Sequence, residues 1–127
     1  YIPQRLKTIA NILGAKLVHI STDCVFSGKK GSYTEGDIRD AEDTYGRSKI
    51  MGEVTESPHI TLRTSVVGPE IKKGEELFHW FMSQEGKIKG FTKSFWSGVT
   101  TLELAKAVEW AMDSPSSLIS NSRTGLS

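Results

Sequence analysis

The chain has 127 residues, with 16 Lys and Arg against 15 Asp and Glu, and 37% of its residues are hydrophobic. This size and balance fit one globular domain and exclude a disordered chain and the strongly basic surface of a dedicated nucleic-acid binder. No apolar run approaches the roughly 20 residues of a membrane-spanning helix, and no signal-peptide pattern follows Tyr1. With Cys24 as its single cysteine, the sequence favours a cytoplasmic protein.

The first segment is predicted to be a helix followed by a buried strand. Pro3 suits a first helical turn, apolar residues recur at three- and four-residue steps up to Leu13, and Gly14 is a typical helix end. The mostly apolar run at 16–21 predicts the strand. Because the sequence opens on a helix rather than on Met, we expect a piece of a longer protein.

The central part predicts a long loop, a helix and a second strand. Residues 22–43 form the loop, and connections of that length are often functional. A second helix is expected from Tyr45 to Ser57, stopped by Pro58, with a strand over 59–67.

The last part predicts two helices around a short edge strand. Glu75 and Glu76 open the third helix, 87–91 reads as the edge strand, and a capping box at Thr100 opens a fourth helix that stops near Pro115. Alternating helices and strands imply parallel strands and an α/β architecture, in which ligands bind beyond the carboxyl ends of the strands.

Three residues of these predicted elements have types and positions that suit acid–base catalysis. Tyr45 and Lys49 are four residues apart on a predicted helix, so they share one face. A phenol is a weak acid near neutral pH, and a neighbouring ammonium favours its ionised form. Thr22 follows the first strand, where its hydroxyl can hold the same substrate oxygen. Such a group suits hydride transfer at a carbonyl or alcohol carbon, with the hydride supplied by a cofactor.

These residues lie in a longer pattern that resembles the extended short-chain dehydrogenase/reductases, and within them the dTDP-4-dehydrorhamnose reductase branch. The resemblance covers residues 1–112. It rests on STDCVFSG at 21–28, GSYTE at 31–35, YGRSK at 45–49 with Gly52-Glu53, and LRTS at 62–65 with Gly68-Pro69. It implies a Rossmann-like parallel sheet with flanking helices. Residues 1–68 would be the second half of a dinucleotide-binding domain with the catalytic residues, and 69–127 part of a substrate-binding region.

The resemblance also implies a function for the intact parent, namely NAD(P)-dependent reduction of a 4-keto nucleotide sugar with Tyr45 as proton donor. The implied catalytic residues are Thr22, Tyr45 and Lys49. The implied cofactor-binding residues for NAD or NADP are Ser21, Tyr45, Lys49, Thr64, Ser65 and Val66. The implied substrate-binding residues are Thr22, Asp23, Cys24, Val25 and Phe26. No metal, nucleic acid or membrane is expected, and a homo-oligomer is possible.

Three departures from the pattern qualify this implication. The Gly-rich phosphate-binding turn is missing from the chain, so the fragment alone is expected to be inactive. Cys24 stands where the branch commonly has tyrosine, and Val66 stands where it commonly has tryptophan. These two differences leave the identity of the sugar substrate open. Cys24 also replaces the glutamate of the related dehydratases, which disfavours dehydration.

Two alternatives stay open at this point. One is an NAD-dependent nucleotide-sugar epimerase with the same triad, and the other is a non-catalytic regulatory subunit that binds a dinucleotide. Two further residues carry expectations of their own. Cys24 is predicted to be a small buried side chain, and Arg63, in a buried strand, needs a partner.

Overall fold

The computed structural model describes residues 1–69, 77–93 and 95–114. The helices are α1 (Ile2–Leu13), α2 (Thr44–Gly52), α3 (Leu77–Met82) and α4 (Thr101–Asp113). The strands are β1 (Val18–Ser21), β2 (Ile60–Arg63), β3 (Val66–Val67) and β4 (Val99–Thr100), and a 3-10 turn spans Asp23–Val25. The predicted α/β class is confirmed.

The strands form two parallel pairs, as the alternation of elements predicted. In the first pair, β1 runs beside β2 with Val18 opposite Ile60 and Ser21 opposite Arg63. In the second pair, β3 runs beside β4. The single strand predicted over 59–67 is wrong, because the chain leaves the first sheet after Arg63 and joins the second at Val66.

The second helix is shorter than predicted. It ends at Gly52 instead of Ser57, because Glu53 adopts an extended conformation (φ −63°, ψ 138°). That turn directs the Glu53 side chain into a buried ion-pair cluster described below. A tertiary contact therefore overrides the local helical pattern.

The region after β3 also departs from expectation. Residues 87–91 contain no strand. The third helix is described from Leu77 onwards, and Glu75 and Glu76, predicted to open it, lie outside the described residues, as does Pro115. The strand β4 has only two residues, which are too few to show the alternating apolar pattern that predicts a strand.

The fourth helix begins as predicted and is attached to the first strand. Thr100 caps it, with its Oγ1 accepting the Glu103 N–H at 3.2 Å. At the other end, Lys16 Nζ donates to the carbonyls of Ala111 at 2.6 Å and Ser114 at 2.7 Å. A cation at the negative end of the helix dipole is stabilising, so Lys16 joins the last turn of α4 to the start of β1.

The buried apolar side chains lie around the first strand pair and the long loop: Val25, Ala41, Val54, Ile60 and Ala111. The first strand is less buried than predicted, since Ile20 is 42% exposed. Adjacent strand residues point to opposite faces, so Ile20 lies on the face opposite buried Ser21. Among the described residues, no helix combines the length and the apolar character needed to cross a bilayer.

Candidate functional site

The carboxyl ends of β1 and β2 bring the predicted site segments to one edge. Ser21 and Arg63 are directly opposite in the parallel register. The next residues, Thr22 and Thr64, therefore leave the sheet side by side. This is the edge at which parallel α/β sheets bind ligands.

Thr22 holds a fixed position at this edge. It is 8% exposed and caps the 3-10 turn, with its Oγ1 accepting the Cys24 N–H at 3.2 Å. The same hydroxyl lies 3.3 Å from Asp23 Oδ1. The Cys24 side chain is exposed and free, so the prediction that it is buried is wrong. The turn points that thiol outwards, whereas the next residue, Val25, is fully buried in the core.

Gly46 brings the second helix against this turn. A Cβ atom at Gly46 would lie 2.5 Å from the Cys24 carbonyl oxygen and 2.5 Å from Ala41 Cβ. Contacts below 3.0 Å are not tolerated by real side chains, so a glycine is needed here. Asp43 caps the helix, with its carboxylate accepting the Gly46 N–H at 2.9 Å. Tyr45 is thereby placed beside the turn that carries Thr22.

Tyr45 and Lys49 are brought together as their spacing predicts. Lys49 Nζ lies 5.5 Å from the centroid of the Tyr45 ring, within the range of a cation–π contact. The Tyr45 side chain is 54% exposed and Lys49 is half-buried. The phenol is therefore open to a ligand while an ammonium group lies over its ring.

The remaining predicted residues lie around the same edge. Phe26 stacks on Tyr33 with ring centroids 4.5 Å apart. Thr64 Oγ1 donates to the Ser65 carbonyl at 2.9 Å, and that carbonyl also accepts the Val99 N–H at 2.9 Å. The half-exposed Val66 follows in β3. The link between the two sheets thus fixes the segment that the resemblance assigns to the cofactor.

A buried carboxylate that sequence reasoning did not single out lies beneath the site. The Glu53 side chain is fully buried. Arg63 donates to it through Nε at 2.8 Å and Nη2 at 3.0 Å, and Arg39 Nη1 donates at 2.9 Å. Burial by itself would raise the pKa of Glu53, but the hydrogen bonds from Arg63 and Arg39 outweigh it and hold that pKa below its ordinary value. The sequence signal that could have pointed to Glu53 was Arg63, because a charged residue in a buried strand needs a partner.

Two polar side chains of β1 lie on the same face of that strand, near this carboxylate. Ser21 Oγ is close enough to Glu53 to help lower its pKa, yet no described atom forms a hydrogen bond of normal geometry with it. His19 Nε2 is also buried without a partner among the described residues. Burial lowers the pKa of His19, Lys49 lowers it further and Glu53 opposes the shift. His19 is therefore neutral at pH 7.

The long loop is ordered by its own side chains. Asp40 accepts the Ser27 N–H at 2.8 Å and the Ser27 hydroxyl at 2.6 Å, and these bonds lower its pKa. Asp37 pairs with Lys30, which lowers the pKa of Asp37 to about 2. The segment between Thr22 and Tyr45 is thus a structured loop, in keeping with its predicted functional role.

A second histidine, His59, has a structural role. Buried His59 accepts the Leu17 N–H through Nδ1 at 3.1 Å, and its Nε2 lies 2.9 Å from Asn11 Oδ1. Both ring nitrogens are therefore used in joining α1 to the start of the first sheet. Within the described ranges, no cluster of three or more His, Cys, Asp or Glu side chains is suited to a metal ion.

The fold and this edge define a Rossmann-like α/β unit. Thr22 lies at the carboxyl end of β1, and the Tyr45–Lys49 pair lies on the helix that packs against the following turn. Comparison with known proteins identifies its family. Residues 2–94 match the family model of the RmlD substrate binding domain. The chain therefore belongs to the RmlD substrate-binding family, which confirms the predicted resemblance to the dTDP-4-dehydrorhamnose reductase branch.

Several curated proteins are similar to the chain. The spore coat polysaccharide biosynthesis protein SpsK of Bacillus subtilis is 32% identical over 120 residues, which are 90% of this chain and 42% of that protein. A dTDP-4-dehydrorhamnose reductase of Sinorhizobium fredii is 44% identical over 69 residues, 50% of this chain and 23% of that protein. Methionine adenosyltransferase 2 subunit beta of Rattus norvegicus is 38% identical over 71 residues, 53% of this chain and 21% of that protein. The chain thus spans less than half the length of these relatives, and no solved structure matches it.

Proposed function

We propose that this chain supplies the proton-donating part of a reductase that acts on a 4-keto nucleotide sugar with NADH or NADPH. Within this proposal, residues 1–68 carry the catalytic side chains and 69–127 contribute to the substrate-binding region. The names of two relatives support it, since one is a dTDP-4-dehydrorhamnose reductase and another is a polysaccharide biosynthesis protein.

The observation that carries the proposal is the pairing of Tyr45 with Lys49 beside the Thr22 turn. The Lys49 ammonium lies 5.5 Å from the ring centroid. Tyr45 would give its proton to a substrate oxygen and recover it later, as a positioned general acid does. The Thr22 hydroxyl, held at the strand end, orients that oxygen. Close packing at Gly46 holds α2 against the turn that carries Thr22, so the phenol and the hydroxyl would act from neighbouring elements.

The chemistry of these donors fits the ribose end of a nicotinamide cofactor. A half-exposed phenol and an ammonium on one helix face suit sugar hydroxyl groups, and Tyr45 and Lys49 would hold that ribose. Thr64, Ser65 and Val66 would lie on the nicotinamide side. When bound, the cofactor supplies the hydride.

Removing the phenol hydroxyl tests this proposal in the full-length protein. Tyr45→Phe is expected to lower kcat for reduction of a 4-keto nucleotide sugar by about 10²- to 10⁴-fold, the usual contribution of a positioned proton donor. Tyr1→Phe is the matched control, because Tyr1 is an exposed tyrosine at the start of α1, outside the proposed catalytic residues, and should leave kcat unchanged. Full activity of Tyr45→Phe would contradict the proposed role.

A regulatory subunit is the second candidate, because the chain is also similar to methionine adenosyltransferase 2 subunit beta. The two candidates differ in what wild-type protein does with a dinucleotide and a keto sugar. Oxidation of NADPH that depends on the sugar supports the reductase. Dinucleotide binding with no turnover, together with a co-purifying enzyme, supports the regulatory subunit instead.

A further inference from the structure

Glu53 connects three segments that carry the candidate site. It directly follows α2, the helix that bears Tyr45 and Lys49. Its partner Arg39 lies in the loop between Thr22 and that helix, and its other partner Arg63 is the last residue of β2. One fully buried carboxylate therefore holds the helix, the loop and the strand end together.

The two arginines are held in different ways. Arg63 uses Nε and Nη2 in a two-pronged contact with both carboxylate oxygens, the strongest geometry for this pair. Arg39 adds a single bond from Nη1, and its side chain is more exposed. Loss of the carboxylate charge leaves both guanidinium groups without their main acceptor, which is costly for a buried charge.

Arg63 also reaches the loop on its far side. Its Nη1 donates to the Glu35 carbonyl at 3.3 Å. Its guanidinium carbon lies 5.4 Å from the centroid of the Phe26 ring, and Phe26 in turn stacks on Tyr33 at an interplanar angle of 16°. The position of Phe26, a predicted substrate residue, thus depends on Arg63, and Arg63 depends on Glu53.

We propose that Glu53 is a positioning residue that fixes the loop over 22–43 at the site through Arg39 and Arg63, and so sets the shape of the nucleotide-sugar pocket. The role in substrate binding rests on the reductase function proposed above. The role in fixing the loop does not, and can be measured without turnover.

Hydrogen exchange of single backbone amides tests the loop contact. The reporters are the Ser27 N–H, bonded to Asp40, and the Ala41 N–H, bonded to the Val25 carbonyl. The Ile60 N–H, bonded to the Leu17 carbonyl, reports on the sheet. In Glu53→Gln, we expect about tenfold faster exchange at Ser27 and Ala41 and less than about a twofold change at Ile60.

Two more variants make the measurement decisive. Glu56→Gln is the matched control, because it removes an exposed glutamate that pairs with Lys7 at 2.8 Å, away from the site. Arg39→Met removes the ion pair between the loop and Glu53 but leaves the Glu53–Arg63 pair. This variant therefore tests the loop contact even if Glu53→Gln does not fold. Equal acceleration at all three reporter amides would mean a general structural role and overturn the proposal, as would unchanged exchange at Ser27 and Ala41.

Steady-state kinetics of the full-length protein then test whether the loop contact affects substrate binding. Arg39→Met is expected to raise KM for the nucleotide sugar about tenfold, with kcat and the KM for NADPH changed less than about threefold. A fall in kcat with unchanged KM would overturn the substrate-positioning role. If wild-type protein shows no turnover, the proposed function fails, while the exchange experiment still decides the role of Glu53 in the loop.

Discussion

Gly46 and Gly52 lie in the same helix, and replacing each by alanine should change stability in opposite directions. A Cβ at Gly46 would meet backbone and side-chain atoms at 2.5 Å, including the Cys24 carbonyl, which cannot move without shifting the Thr22 turn. A Cβ at Gly52 would meet Pro3 Cγ at 3.5 Å, an ordinary contact. The chemical change is the same, so the difference isolates the close approach of α2 to the turn.

The expected magnitude follows from two opposing effects. An unstrained glycine-to-alanine change in a helix raises the free energy of unfolding by about 0.4–1 kcal/mol, because it restricts the unfolded chain. Overpacking costs about 1–3 kcal/mol. Gly52→Ala should therefore stabilise by up to about 1 kcal/mol, and Gly46→Ala should destabilise by about 1–2 kcal/mol after the helix gain is included.

Urea unfolding followed by far-UV circular dichroism measures both variants. A difference of about 2 kcal/mol corresponds to a separation of about 1 M between the two unfolding midpoints, for a slope of about 2 kcal/mol per molar urea. Equal midpoints for Gly46→Ala and Gly52→Ala would refute the reasoning that α2 needs a glycine to approach the turn.

Three further predictions follow from single contacts. Lys16→Met removes both hydrogen bonds to the end of α4 and should lower the free energy of unfolding by about 1–3 kcal/mol, measured in urea titrations. A change below about 0.5 kcal/mol would mean that these hydrogen bonds do not stabilise the fold. The lowered pKa of His19 means that its stabilising effect is complete at high pH and declines as pH falls below about 6.5, so His19→Gln should flatten the stability profile between pH 7 and 5. Asp40→Asn keeps one acceptor for Ser27 but loses the charge, so the Ser27 amide should exchange several-fold faster while the sheet is unchanged.

The elements that could be predicted from the sequence carry strong local signals. Gly14 ends α1 in the left-handed conformation (φ 62°), as a helix-terminating glycine does. Thr100 caps α4 through the Glu103 N–H, half of the predicted capping box. The spacing of Tyr45 and Lys49 placed both side chains on one face, and the structure brings them together.

The features that could not be predicted depend on contacts between distant residues. The helix pattern continues past Gly52, but the ion pairs of Glu53 with Arg39 and Arg63 end it there. The strand pattern continues across Thr64 and Ser65, but the chain changes sheets at that point. In both cases, a local pattern gives way to a partner far away in sequence, which periodicity does not report.

The candidate site is held mainly by anionic acceptors, and this sets its response to acid. Asp37, Asp40 and Glu53 all have pKa values below their ordinary range because each accepts hydrogen bonds in the folded chain. Their stabilising effect is therefore complete above the ordinary pKa values, 3.8 for the aspartates and 4.5 for Glu53. It is lost as pH falls through the lowered values, toward about 2 for Asp37. The backbone hydrogen bonds between β1 and β2 do not titrate. Acid should consequently release the loop over 22–43 before it separates the strands, because the loop and the adjacent sheet are stabilised by different interactions.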